Sequence, residues 1–270
     1  MSDQDLVAKM AQIWDTLVTL CTPFTAQEWH TPTDCPGWSV QDQVAHMLGS
    51  ELRLLGHEAP AHTPQHTSHV KNEMGARNEI WVDWFRAQPG AAVLQQFQAV
   101  MTERLQGLRA MRPEDFAAPT QTPIGPGTMR DLLAIRIFDA WIHEQDIRRA
   151  VQRPGDLDGP VAAHAVERVA MAMPYVVGRK VKPADGTTVV FAMPGAAGRT
   201  VALRMEGGRA RSLDEIPVTP TVRLTMDVET LTCLGCGRWD PVATVQSGKV
   251  QISGDVGLGQ TIVAQMNIMI

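Results

Sequence analysis

Over the first 180 residues, apolar positions recur at three- and four-residue spacing, the period of one face of a helix. Leu6, Met10, Ile13, Trp14, Leu17 and Val18 set that pattern and predict a first helix from Asp3 to Thr22. The following TPFTAQEWHTPTDCPGWS is dense in Pro, Thr and Asp and has no period, so a loop is expected. A second helix is expected from about Ser39 to Leu55, with Ser39 and Asp42 spaced as a capping box. Two more, about Val70 to Ala87 and Ala91 to Met111, are separated by Pro89-Gly90. After the loop RPEDFAAPTQTPIGPG, Thr128 and Asp131 suit the capped, acidic first turn of a helix running to about Val151. Arg148 and Arg149 fall in its last turn, where the helix dipole favours cations, and a further helix is expected from about Pro160 to Val177.

Near residue 180 the period changes from helical to alternating. TTVVFAM, RTVALRM and TVRLTM are short β-branched segments between Gly-rich turns, which predict antiparallel strands. Two short helices, about Val228 to Gly235 and Val256 to Met266, are expected to pack on them. The fold class is therefore α plus α+β: a helical bundle over residues 1–180, then a small α+β domain over 181–270.

Composition narrows the function classes. The chain has 270 residues, 44% apolar and 20% charged, enough for two folded cores. The formal net charge is −5 and the basic residues are scattered, which disfavours a nucleic-acid or anionic-membrane partner. Apolar stretches such as 187–194 and 262–270 fall short of the roughly 20 residues a membrane helix needs. The opening MSDQDLVAKM lacks the cationic start and apolar run of a secretory signal, so a cytoplasmic protein is expected. Cys21, Cys35, Cys233 and Cys236 do not make a disulfide framework for this length. Cys233 and Cys236 form a single CxxC without a thioredoxin context, which favours two small buried residues over redox chemistry. There is no GxSxG elbow and no phosphate loop, and GDVGLGQ lacks the spacing and βαβ setting of a dinucleotide site.

The segment IRIFDAWIHEQDIRRA places Asp139, His143 and Asp146 at i, i+4 and i+7, on one helix face. An acid and an imidazole one turn apart can chelate a divalent ion, given a third ligand from elsewhere. His46, inside the second helix, is the best placed by position, whereas His57, His62, His66 and His69 belong to a loop. On a helical projection His46 falls with Asp42, Gly49, Ser50 and Arg53, which suits either a polar cavity or solvent. A solvated or hydrogen-bonded helix face accounts for the Asp139–His143 pair equally well.

The stretch DCPGWSVQDQVAHML, followed about ninety residues later by FDAWIHEQDIRRA, resembles the mycothiol-dependent maleylpyruvate isomerase family, a branch of the DinB-like helical-bundle metalloproteins. The resemblance implies a four-helix bundle carrying a divalent metal, usually zinc, bound by His46, Asp139 and His143. It also implies mycothiol or a similar small thiol as cofactor. Maleylpyruvate isomerases carry Glu at the acidic ligand position, so Asp139 is a departure. Asp146 matches a functional acid of the family; an ion pair with Arg149 or Arg130 is the structural alternative. The C-terminal TVRLTMDVETLTCLGCGRWDP and VQISGD resemble the family's small α+β domain, where Arg238 is the candidate for a substrate carboxylate or thiol-cofactor contact. A surface turn residue is the other reading of Arg238. Trp38 is assigned to the cofactor side, and Trp38 and Trp141 wall the site or pack the bundle.

The resulting expectation is a metal- and thiol-dependent isomerase or transferase acting on a small electrophile, as a monomer or homodimer. A non-catalytic small-ligand-binding module and a metal-assisted hydrolase without a thiol are the alternatives.

Overall fold

The computed structural model describes residues 2–269. They form two compact units, Met1–Gly155 and Asp156–Ile270. Between them the helical backbone ends in left-handed residues, Gln152 at φ 55° and Asp156 at φ 52°, around Pro154-Gly155. The helix expected from Pro160 to Val177 thus lies in the second unit and not in the bundle. Periodicity identified it as a helix but carries no information on which layer it joins.

In the first unit α1 (Asp3–Cys21), α2 (Ala26–Trp29), α3 (Val40–Leu54), α4 (Glu73–Arg86), α5 (Gly90–Ala110), α6 (Pro113–Phe116) and α7 (Met129–Ala150) follow in order. A two-stranded antiparallel hairpin, β1 (Pro119–Thr122) and β2 (Gly125–Thr128), precedes α7. Its residues are mostly Pro, Gly and Thr, which is why the sequence read as a loop there. Helices α1, α3, α5 and α7 pack as a four-membered bundle, with α4 laid along α3. The core joins Met10, Ile13, Trp14 and Leu17 to Met47, Leu48, Phe97, Leu133 and Ile137, all at most 2% exposed. Burying a side chain of this size is worth about 1.5–3 kcal/mol relative to exposure. The expected Ser39 capping box forms, with Asp42 accepting from the Ser39 backbone N–H at 2.8 Å, and the expected Thr128 cap also closes as a capping box, with Asp131 accepting from the Thr128 N–H at 2.8 Å.

The second unit opens with α8 (Gly159–Tyr175) and one π-helical turn over Val176–Val181. Next come β3 (Thr188–Ala192), β4 (Thr200–Glu206), β5 (Arg209–Ser212), β6 (Val222–Thr225), α9 (Val228–Gly235), α10 (Pro241–Gln246), β7 (Gln251–Gly254) and α11 (Val256–Ala264). The strand order is β5-β4-β3-β6-β7. The expectation of antiparallel strands holds for all but the central pair, since β3 runs parallel to β6 with Val189 opposite Val222. Consecutive buried Val189, Val190 and Phe191 mark β3 as a strand covered on both faces. Strands β5 and β7 and helix α10 lie outside the expected set; RARS and QISG are too short and polar to show an apolar alternation.

Candidate metal centre

Helix α3 carries His46 and helix α7 carries Asp139 and His143, and the packing of α3 on α7 brings the three together. One ligand atom from each lies within 4.8 Å of the others. His46 Nε2 is 3.3 Å from Asp139 Oδ2, and His143 Nε2 is 3.4 Å from Asp139 Oδ1. Among the described residues this is the one such group of three or more His, Cys, Asp or Glu. Both histidines are 6% exposed, while the Asp139 side chain retains 22%. Of the His46 face, Asp42, Gly49 and Ser50 are buried with it and Arg53 is exposed, so the face turns into the protein except at its C-terminal end. Gly49 is required there, because a Cβ would lie 2.5 Å from the Trp81 side chain across the α3–α4 contact.

The electrostatics favour donors over protons at two of the three groups. Burial holds the His46 imidazole below the usual histidine range, hence neutral, the form that ligates. Burial would raise the Asp139 carboxyl, but Arg136 and the two imidazoles outweigh it and hold it well below the carboxylate range. Burial would likewise lower His143, and the Asp139 and Asp146 carboxylates overcome that and raise it. His46 Nδ1 is buried and has no hydrogen-bond partner.

This donor set fits a divalent ion. Ligands on bonds of about 2.1 Å at a tetrahedral angle stand roughly 3.4 Å apart, and here one donor atom from each of the three residues lies within 4.8 Å of the others.

Three residues that sequence reasoning passed over hold Asp139 in place. Arg136 donates from Nη1 to Asp139 Oδ2 at 2.6 Å and from Nε to Glu51 Oε1 at 2.9 Å. Arg104 on α5 donates to the other oxygen of Glu51 at 2.8 Å. Arg104, Glu51, Arg136 and Asp139 thus alternate in charge across α5, α3 and α7, with Glu51 1% exposed. The available signal was spacing, since Arg136 precedes Asp139 by three residues on the face that continues to His143 and Asp146.

Asp146 is fully buried; it accepts from Arg149 at 2.6 Å and stands 3.5 Å from His143 Nδ1. The Arg149 pairing is therefore present, whereas Arg130 pairs with Asp3 at 2.6 Å. Trp38 lies against both imidazoles, its ring 4.9 Å from His46 and 5.8 Å from His143. Trp141 is 1% exposed and belongs to the bundle core. Arg238 lies in the second unit, in the turn after α9, where its Nη1 donates to the Cys236 carbonyl at 3.1 Å. Cys233 and Cys236 are both buried.

A helical bundle with a buried His-Asp-His group, followed by a small mixed-sheet α+β unit, defines the class. The family model of the mycothiol maleylpyruvate isomerase N-terminal domain matches residues 10–148, and the chain belongs to this family. The SCP-2 sterol transfer family model matches residues 173–267. Two crystal structures resemble the chain along nearly its full length: a mycothiol-dependent maleylpyruvate isomerase at 15% identity and its histidine-to-alanine mutant at 16%. Each gives a TM-score of 0.60 and covers 95% of this chain and 95% of its own, which establishes a shared fold. Comparison with curated proteins finds no match. No helix among the described residues is long and apolar enough to cross a membrane.

Proposed function

We propose that the chain is a metal-dependent isomerase or thiol transferase that uses mycothiol or a similar thiol on a small electrophile. The observation that carries this reading is the convergence of His46, Asp139 and His143 in a buried centre of a chain belonging to the maleylpyruvate isomerase family. These three residues would hold the ion; the two-His-one-carboxylate set suits Zn²⁺ and also Fe²⁺, and the family resemblance favours zinc. A divalent ion there would depress the pKa of a thiol or water bound to it and keep a nucleophile ionised at neutral pH, where a free thiol is mostly protonated.

The chain's own groups supply the rest. Arg136 and Glu51 keep the Asp139 carboxylate turned between the imidazoles. Asp146 faces the Nδ1 side of His143 at 3.5 Å, placed to orient the ring, and the Trp38 ring lies 5.8 Å from it. The Asp139 side chain keeps 22% exposure, so the centre is open to solvent, as access by a thiol and a substrate requires. Arg238 is assigned to a carboxylate of substrate or cofactor, which a guanidinium fork binds through two bonds.

The test is calorimetry of mycothiol binding to the zinc-loaded parent and to His143→Ala, followed by assay with maleylpyruvate and a panel of thiol-reactive electrophiles. Thiol binding that requires zinc and His143, with turnover of at least one electrophile, is expected. Equal thiol binding by both proteins would overturn the reading. Arg238→Lys is expected to raise KM for a carboxylate-bearing substrate by about tenfold, roughly one charge-assisted hydrogen bond.

A further inference from the structure

Trp38 is gripped from outside the centre by a cluster that the metal reading does not use. Its indole N–H donates to Oε2 of Glu79 at 2.9 Å, and Glu79 is 1% exposed on α4. The same oxygen lies 2.9 Å from His69 Nε2, and Arg86 donates to the other carboxylate oxygen at 2.7 Å. A carboxylate only accepts, so His69 carries a hydrogen on Nε2. Arg86 also donates to Asp42 at 2.9 Å, to Asp83 at 2.7 Å and to the Gly37 carbonyl at 3.3 Å. The His69 ring lies directly over Gly37, whose φ is +80° and where a Cβ would fall 2.4 Å from Nδ1. No L side chain fits under that ring, so the turn carrying Trp38 is locked to the 57–72 loop.

We propose that Glu79 is a positioning residue for the centre: its carboxylate fixes Trp38 so that the indole covers His46 and His143. The proposal rests on the reading that the centre holds a divalent ion. Two consequences follow from the bonding. With its N–H engaged by Glu79, Trp38 offers a bound thiol or substrate an aromatic face and no hydrogen-bond donor. The orientation of the two imidazoles also depends on a carboxylate that touches neither of them. A mere brace of the fold would affect the centre whether or not Trp38 is present, and that difference can be measured.

The probe is Co²⁺, titrated by visible absorption into metal-stripped parent, Glu79→Gln, Glu79→Leu, Trp38→Phe, Trp38→Ala and the Glu79→Leu/Trp38→Ala double variant. Hydrogen exchange of the ¹⁵N-labelled Trp38 indole, assigned by its absence in Trp38→Phe, is followed in the same proteins. Glu79→Leu is expected to speed indole exchange at least about tenfold and to weaken Co²⁺ binding by about 10–100-fold, the usual range for groups that orient metal ligands. Glu79→Gln keeps an acceptor oxygen and is expected to restore most of both. In the Trp38→Ala background, Glu79→Leu should change Co²⁺ affinity by less than about twofold, because the two act in series. Unchanged indole exchange in Glu79→Leu, or an equal affinity loss in both backgrounds, overturns the proposal. Should Glu79→Leu not fold, Trp38→Phe decides: it keeps a ring and loses the donor, and affinity equal to the parent overturns the proposal. If no protein binds Co²⁺ the metal reading fails, and the exchange data alone decide whether Glu79 holds Trp38.

Discussion

Two clusters of histidine and carboxylate lie within the helical unit, built from the same residue types with opposite outcomes. In the cluster around Arg86, all six oxygens of Asp42, Glu79 and Asp83 accept hydrogen bonds, from Arg86, Ser39, Trp38, His62, His69 and Gln65. Around His46, Asp139 and His143, a single carboxylate faces two imidazoles, and Arg136 binds one of its oxygens. The first arrangement spends its acceptors on hydrogen donors and becomes a brace. In the second, two imidazoles and one carboxylate offer one ligand atom each within 4.8 Å of one another, an arrangement that suits an ion. Each imidazole of the first cluster has its own carboxylate, His62 with Asp83 and His69 with Glu79, whereas His46 and His143 converge on Asp139 alone, and that sharing separates the two.

The largest effect is expected from removing the guanidinium that makes the brace. Arg86→Met strands three buried carboxylates and should lower stability by about 3–5 kcal/mol, read as the shift in a urea unfolding curve. An unchanged midpoint would break the distinction drawn above.

A smaller effect is expected in the other cluster from Glu51→Gln, which weakens the hold on Arg136 without touching a ligand. The fold should persist while zinc affinity falls by about 10–100-fold in a competition titration. Parent-like affinity would show that Arg136 needs no anchor.

In the metal-free protein the two imidazoles should have opposite pH signatures. His143 is raised in the folded state, so its contribution to stability is present below its ordinary value of 6.5 and lost as pH rises through the higher folded value. His46 is lowered, so the unfolded chain binds its proton more tightly and stability falls as pH drops from 6.5 through the folded value. Thermal melts of His143→Gln and His46→Gln between pH 5 and 8 should therefore remove slopes of opposite sign. Slopes of the same sign would contradict the assigned charge states. The smallest effect is expected from His62→Gln in the brace, where about 1 kcal/mol of stability should be lost and zinc affinity kept.

Much of this was readable before any coordinates. The helices α1, α3, α4, α5 and α7 follow from apolar period and caps, and the His46, Asp139 and His143 grouping follows from motif spacing and family resemblance. What stayed hidden depends on distance across the fold. Glu51 and Arg136 are separated by 85 positions, and Glu79 and Trp38 by 41, so no local pattern couples them. The parallel pairing of β3 with β6 is equally silent in sequence, because alternation fixes which face a residue takes but not which strand lies beside it. The β1–β2 hairpin was hidden by its composition, as Pro and Gly signal turns more strongly than strands.

The most direct test of the central claim is the metal content of parent, His143→Ala and His62→Gln, purified with zinc supplied and chelators excluded. About one ion per chain is predicted for the parent and for His62→Gln, and none for His143→Ala with its helical circular dichroism intact. An empty parent, or His143→Ala with a full complement of zinc, would contradict the assignment of the centre to His46, Asp139 and His143.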